Sequence, residues 1–236
     1  MFEARNVATL NDILRSPIAK TRMALRWLLA SDGLMSVPGA TAHTYVASGE
    51  TGDRIDLKLQ LHHLSSPDER NPNKLVLDTK PGFSIGVVHQ QPFSGGAIHL
   101  ASPNPLLAPT IRAGYFSDER DLPMFIRGVR LIRRVAAQPS LASIIVRESR
   151  PSAARESDLD LADYLRDTIF SSYHPIGTCR MGVDERADVD ARLKVRGVDH
   201  LYVADASIFP TMPASNTNAA AIMVGERAAH WLSSSR

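Results

Sequence analysis

The stretch "IDLKLQLH", residues 55–62, sets the fold. Ile55, Leu57, Leu59 and Leu61 alternate strictly with Asp56, Lys58 and Gln60. A period of two puts the apolar set on one face of a strand and the polar set on the other. A strand half in a core and half in water is what antiparallel sheets use. Strand character runs from about 41 to 116, with two further strands predicted in "FSIGVVHQQ" at 83–91 and "GAIHLAS" at 96–102. Between those two, "PFSG" at 92–95 has turn chemistry.

Helical patterns flank this region. Residues 8–32 carry Leu10, Ile13 and Leu14 before Pro17, then Met23, Leu25, Trp27 and Leu28 up to the stop at "SDG". In 118–137, Phe125, Val129, Ile132 and Val135 fall at helical spacing, and Arg127, Arg130, Arg133 and Arg134 read as the solvated face. A helix over 158–170 has Asp158 as its expected cap. The intervening "QPSLASIIVRESRPSAARESD" reads as polar loop after a short apolar run, and "MFEARNVATLND" at the start shows no obvious strand. Further on, "ARLKVRGVDHLYVADAS" at 191–207 reads as a short strand, a turn at Gly197 and a strand "LYVAD" ending in Asp205. The Pro-rich link "IFPTMPASNTN" then leads into a last helix over about 218–233.

Composition bounds the chemistry. The 236 residues are 44% hydrophobic and 22% charged, enough for one large globular domain or two small ones. The 27 basic and 25 acidic residues leave +2, too little to argue for nucleic acid or an anionic membrane as partner. Cys179 is the only cysteine, so there is no internal disulfide framework or multi-cysteine zinc site, which fits a reducing compartment. His62 and His63 are adjacent on a strand and point to opposite faces, so they cannot jointly hold one ion, and no metal site is expected. The longest apolar runs, "MALRWLLA" at 23–30 and "AAAIMVG" at 219–225, are too short to span a bilayer. With no signal-peptide pattern at the start, a cytoplasmic location is expected.

Two features of the last third suggest chemistry. In "SSYHPIGTCRMG" at 171–182, Pro175 disfavours helical geometry at His174, so the histidine is expected at an element boundary. Such a residue can be aimed into a cleft or can simply hydrogen-bond in a loop. In "PASNTNAAAIMVGERAA", Ser215, Asn216, Thr217 and Asn218 crowd the start of an Ala-rich helix. One of them suffices as a cap. The others suit an anion or developing negative charge at the helix N-terminus, with Ala219, Ala220 and Ala221 leaving room for a flat group.

"HPIGTCRMG" followed by "DARLKVRGVDHLYVADASIFPTMPASNTNAAAIMVGERAA" closely resembles the C-terminal signature of the glucose-methanol-choline (GMC) oxidoreductases, FAD-dependent enzymes that oxidise alcohols. The likeness runs from 173 to 232 and combines the HP-x-GT turn, the "VADAS" strand end and the "NTNA" helix start. "SDGLMSVPGATAHTYV" at 31–46 and the stretch 94–122 resemble the family's substrate domain more loosely, with Gly95 where an arginine often follows the serine.

The resemblance implies an α+β fold: an antiparallel-sheet substrate domain with flanking helices, plus the last strand and helix of a Rossmann-like FAD domain. It assigns 1–172 to a partial substrate domain and 173–236 to a catalytic, FAD-contacting segment. It gives His174 the role of proton acceptor and puts Asn218 at the second catalytic position, holding the substrate oxygen while hydride passes to the flavin. Asp205 and Ala206 fall beside the ribityl and pyrophosphate portion of FAD, and Asn216, Thr217 and Ala219 at the helix end facing the flavin. The wall of the substrate pocket is expected from the sheet, with Tyr45, His62, His89 and Gln91 as contributors.

The GxGxxG turn that holds the ADP half of FAD is absent from these residues; "SGETG" at 48–52 and "SGGA" at 94–97 lack its spacing. The resemblance therefore implies the C-terminal half of a GMC enzyme, with an N-terminal FAD-binding half as partner. Alone it is expected to be inactive, with apolar surface exposed. Two other readings stand beside it: a binding remnant that has lost FAD, and a hydroxynitrile-lyase-like relative. The electron acceptor is left open.

Overall fold

A computed structural model describes residues 1–49, 52–67 and 76–234, so part of "SGETG" and part of the strand-like region lie outside the described residues. The elements in order are β1 (Phe2–Ala4), α1 (Leu10–Arg15), α2 (Pro17–Ala30), β2 (Ala40–Val46), β3 (Leu57–His62), β4 (Gly82–His89), β5 (Ala97–His99), β6 (Thr110–Arg112), α3 (Asp121–Ala136), α4 (Pro139–Ala142), β7 (Ile145–Glu148), α5 (Asp158–Thr168) and α6 (Thr217–Ser234). Contacts divide them into two compact units, one of Met1–His89 with Leu122–Phe170, the other of Gln90–Asp121 with Ser171–Arg236.

In the first unit an antiparallel sheet runs β2-β3-β4-β1-β7. Leu57, Leu59 and Leu61 on β3 stand opposite His89, Val87 and Ile85 on β4, as the period of two requires. Helix α3 lies on this face: Ile132 and Ala136 join Phe2, Ala4, Leu59 and Phe83 in one buried cluster, and the Phe2 and Phe83 rings stack at 5.3 Å. The close approach is made at Gly128, where a Cβ would come within 2.5 Å of Val87 Cγ2. The buried stripe of α3 is accordingly Met124, Ile126, Val129, Ile132 and Ala136, turned from the predicted one so that Phe125 and Val135 fall at its margin.

Several sequence expectations are corrected here. The polar face of β3 is not in water at its start: Asp56 and Lys58 are buried, and the Asp56 carboxylate accepts hydrogen bonds from the Ser48 N–H and hydroxyl at 2.7 and 2.6 Å. Burial is tolerated because those oxygens are satisfied. Arg133 is not a solvated residue, for its guanidinium lies along Glu148 at 3.0 Å with both side chains largely covered, tying α3 to β7. The three residues of β1, where no strand is expected from sequence, are an inner strand, and β7 forms at the short apolar run before the polar loop. Helix α5 is capped by Ser157, whose hydroxyl oxygen accepts the Asp160 N–H, while Asp158 is the first helical residue and pairs with Arg130. The stretch 8–32 read as helical is two helices, α1 and α2, with Pro17 as the first residue of the second.

The second unit is less regular. Strand β5 does not form a hairpin with β4; it pairs with β6 in a separate two-stranded ribbon. The "PFSG" turn is instead clamped by the buried Asp121, whose carboxylate accepts the Phe93 and Ser94 N–H groups at 2.9 and 2.8 Å. At the ribbon base two backbones touch: a Cβ at Gly96 would lie 2.2 Å from the Arg112 carbonyl oxygen, and one at Gly114 would lie 2.2 Å from that of Gly95. "LYVAD" forms no strand; Tyr202 makes an isolated bridge to Lys194, and Leu201 and Tyr202 stay exposed. A strand needs continuous neighbours for its N–H and C=O groups, and one bridge does not supply them. The core of this unit is Val189, Leu193, Ile208, Val224 and Ala228.

Candidate active site

His174 sits in the irregular stretch between α5 and the second unit's core. Cys179 N–H donates to the Ser207 carbonyl at 3.0 Å and Met181 N–H to that of Ile208 at 2.8 Å. The HP-x-GT segment therefore runs beside a single 3-10 turn at Ala206–Ile208. The imidazole reaches the other way: its Nδ1 lies 3.3 Å from the hydroxyl oxygen of Thr217. Thr217 is the first residue of α6 and is buried.

The ring is thus tethered to the head of an 18-residue helix. The first turn of such a helix has N–H groups with no acceptor four residues back, and its end carries partial positive charge. Asn218 and Ala219, next along the chain, are exposed there, as is Asn216 before it. A neutral imidazole can take up a proton, while amide donors can hold an oxygen that becomes negative. Groups of these two kinds are what a hydroxyl losing its proton requires.

Of the sequence-predicted residues, His174 and Thr217 are brought into direct contact, and Asn216, Asn218 and Ala219 share the helix head with them. Asp205 and Ala206 stand on the 3-10 turn that braces the histidine segment. The Asp205 carboxylate caps that turn, accepting the Ser207 N–H at 2.8 Å and the Ser207 hydroxyl at 2.5 Å. What sequence reasoning missed is the Thr217–His174 hydrogen bond, which joins positions 43 residues apart and leaves no local signal.

The expected pocket contributors on the sheet do not share one face. Tyr45 pairs with Lys58 and so shares its face of the sheet with His62, whereas His89 pairs with Leu57 on the opposite face, its ring edge-on to Phe125. His62 Nδ1 lies 3.2 Å from the Gly39 carbonyl, and burial, the largest influence, holds its pKa below the ordinary histidine value. Gln91 belongs to the second unit, where its amide donates to the Met212 carbonyl of the Pro-rich link at 3.3 Å. Among the described residues no group of three or more His, Cys, Asp or Glu is placed to hold a metal ion. Nor, among the described residues, is any helix long and apolar enough to cross a membrane.

The family profile described as GMC oxidoreductase matches residues 92–225, more than half of the chain. The chain belongs to the GMC oxidoreductase family. The matched span takes in His174, Asp205 and the head of α6, and also the ribbon of β5 and β6. Among curated GMC relatives, the chain is 35% identical over 203 residues to an alcohol dehydrogenase [acceptor] of Pseudomonas putida, covering 86% of this chain and 36% of the relative. It is 37% identical over 191 residues to choline oxidase of Arthrobacter globiformis, covering 78% of this chain and 34% of that enzyme. The chain therefore spans little more than a third of the length of these relatives. Pyridoxine 4-oxidase from Mesorbium loti superposes with a TM-score of 0.74 at 25% identity, over 82% of this chain and 38% of that one. Formate oxidase of Aspergillus oryzae, a protein in which FAD is modified, superposes with a TM-score of 0.88 at 18% identity, over 100% of this chain and 45% of its own. That second likeness shows the fold, and with the sheet and helices above it establishes the α+β class.

Proposed function

We propose that this chain carries the catalytic and flavin-facing end of an FAD-dependent enzyme that oxidises an alcohol to an aldehyde or ketone. The observation that carries the reading is the His174–Thr217 contact, which stands a proton acceptor at the N-terminus of α6. The names of the GMC relatives, alcohol dehydrogenase and choline oxidase, support the same reaction class. Neither a binding remnant nor a hydroxynitrile lyase finds support among them.

His174 takes the hydroxyl proton of the alcohol as its C–H bond breaks. Asn218, exposed one residue beyond Thr217, donates its amide N–H to the same oxygen; an asparagine cannot exchange a proton and so acts by holding. Bound FAD supplies the hydride acceptor. The residues present fit that group at its flavin end: the first-turn amides of α6 offer donors, and Asn216, Asn218 and Ala219 are exposed beside them. Asp205 and Ala206 contribute the shape of the 3-10 turn, since the Asp205 carboxylate is already engaged within it. No GxGxxG motif is present in the sequence to grip the pyrophosphate, so the ADP half of the cofactor is assigned to an FAD-binding half outside these residues. In this reading residues 1–172 furnish part of the substrate domain and 173–236 the catalytic segment.

The test is His174→Ala in this chain joined to its FAD-binding half and loaded with flavin, with flavin reduction by choline and simple primary alcohols followed by anaerobic rapid mixing. A loss of roughly 100-fold or more at unchanged flavin content is expected. Reduction at the wild-type rate would return His174 to a structural role.

A further inference from the structure

We propose that Thr217 is a positioning residue for His174: its hydroxyl oxygen accepts the Nδ1 proton of the imidazole and so holds the ring in the tautomer that carries its lone pair on Nε2, the nitrogen that would take the substrate's hydroxyl proton. The inference rests on the reading of His174 as proton acceptor. A neutral imidazole has one N–H and one lone pair, and which nitrogen carries the proton is set by what the other touches. Here one partner is fixed in the structure, with Nδ1 3.3 Å from Thr217 Oγ1. That is the long end of the hydrogen-bond range, as catalytic contacts commonly are before substrate draws them together.

Three features make Thr217 suited to the task. It is only 7% exposed, so solvent does not readily stand in for its oxygen. It is β-branched and helical, which narrows its χ1 and so limits where the oxygen can lie. As the first residue of α6 it lies inside the helix, so the capping position falls to Asn216 and the threonine hydroxyl is left for the ring. On the histidine side Pro175 keeps the backbone of His174 out of the helical region, and the Cys179 and Met181 hydrogen bonds hold the segment that follows. Backbone and ring are therefore held from two directions. The opposite polarity, with the threonine hydroxyl donating to Nδ1, would leave the proton on Nε2 and nothing there to accept another.

In the same flavin-loaded protein, joined to its FAD-binding half, Thr217→Val removes the acceptor at nearly constant shape and Thr217→Ser keeps it. Thr217→Val is expected to lower kcat for a primary alcohol by roughly 10- to 100-fold with KM within about threefold, the pattern of a misaligned group rather than lost binding. Thr217→Ser is expected within about threefold of wild type, a rescue that a purely structural role would not require. Independently of turnover, histidine-selective 15N NMR at a pH of about 8.5, where imidazole is neutral, should show the Nδ1–H form of His174 in the wild type and a tautomer mixture in Thr217→Val. A wild-type ring protonated on Nε2 would overturn the proposal, and this measurement needs no substitution to fold. Full turnover in Thr217→Val while His174→Ala is inactive would overturn the positioning role and leave the proton acceptor standing. Full turnover in His174→Ala would remove both.

Discussion

The unit built on β1–β4 and β7 and the unit that holds His174 satisfy their backbones differently. In the first, an antiparallel ladder and a helix share the work, and Leu57, Leu59, Phe83 and Ile132 are almost wholly removed from water. In the second, outside the short β5–β6 ribbon and α6, the chain is held by isolated bridges and single hydrogen bonds around a core of five buried side chains. Under the proposed function, the irregular half carries the chemistry. A ladder fixes side chains at a period of two, whereas a histidine, a threonine and a helix N-terminus must meet at one point, which turns and breaks can arrange.

If that contrast is right, truncation should cost most in the ladder. Leu59→Ala is expected to lose about 3 kcal/mol in a urea melt, while Ile222→Ala, on the exposed side of α6, should change stability by less than about 0.5 kcal/mol. Equal losses would erase the distinction. Rate should be the currency of the second unit: Asn218→Ala is expected to slow flavin reduction by about 2–3 kcal/mol of barrier. Because Asn218 lies inside α6 and not at its cap, its removal should leave the melt within about 0.5 kcal/mol. A stability loss without a kinetic one would make it a packing residue.

Smaller effects sharpen the picture. Gly128→Ala puts a methyl against Val87, whose branched side chain has little freedom to yield. Overpacking should outweigh the gain in helix propensity and lower stability by about 1 kcal/mol; a more stable variant would mean that α3 can lift from β4 at no cost. Smallest of all is Asp118, which the Arg120 guanidinium holds down from an ordinary 3.8 to about 2. A carboxyl lowered on folding adds stability above its unfolded value and loses it as pH falls toward 2, so acid should weaken the second unit only below about pH 4 through this group. Titration by carbonyl 13C NMR gives the midpoint, and a value near 4 would show that the pair does not form.

What could be read from sequence follows the length of each pattern. The period of two in β3 and the apolar spacing of α3 persist long enough to be recognised, and Pro17 marks its helix boundary by chemistry alone. β1 has three residues, too few for any period, and becomes a strand only because Phe2 and Ala4 find β4 and β7 on either side. The partner of β5 was equally hidden, since the turn that releases it is held by Asp121, a residue 28 positions beyond Phe93. Arg133 looked like its exposed neighbours because nothing in α3 announces Glu148. At the site, His174 and the polar row 215–218 were visible as residue types. Which member of the row touches the ring depended on tertiary geometry.

The placement of β1 has a consequence for how the molecule is made. Its outer neighbour is β7, and the Ser149 hydroxyl that donates to the Met1 carbonyl is 148 residues downstream. At ribosomal rates that interval is on the order of ten seconds, during which Phe2 can meet β4 but one edge of β1 has nothing to pair with. Closure across so long a loop carries a high entropic cost and belongs among the slow, non-local steps of folding. The segment around Phe2 is thus made well before β7 can secure it in the sheet, and any chaperone that attends the growing chain over that interval has a natural client there.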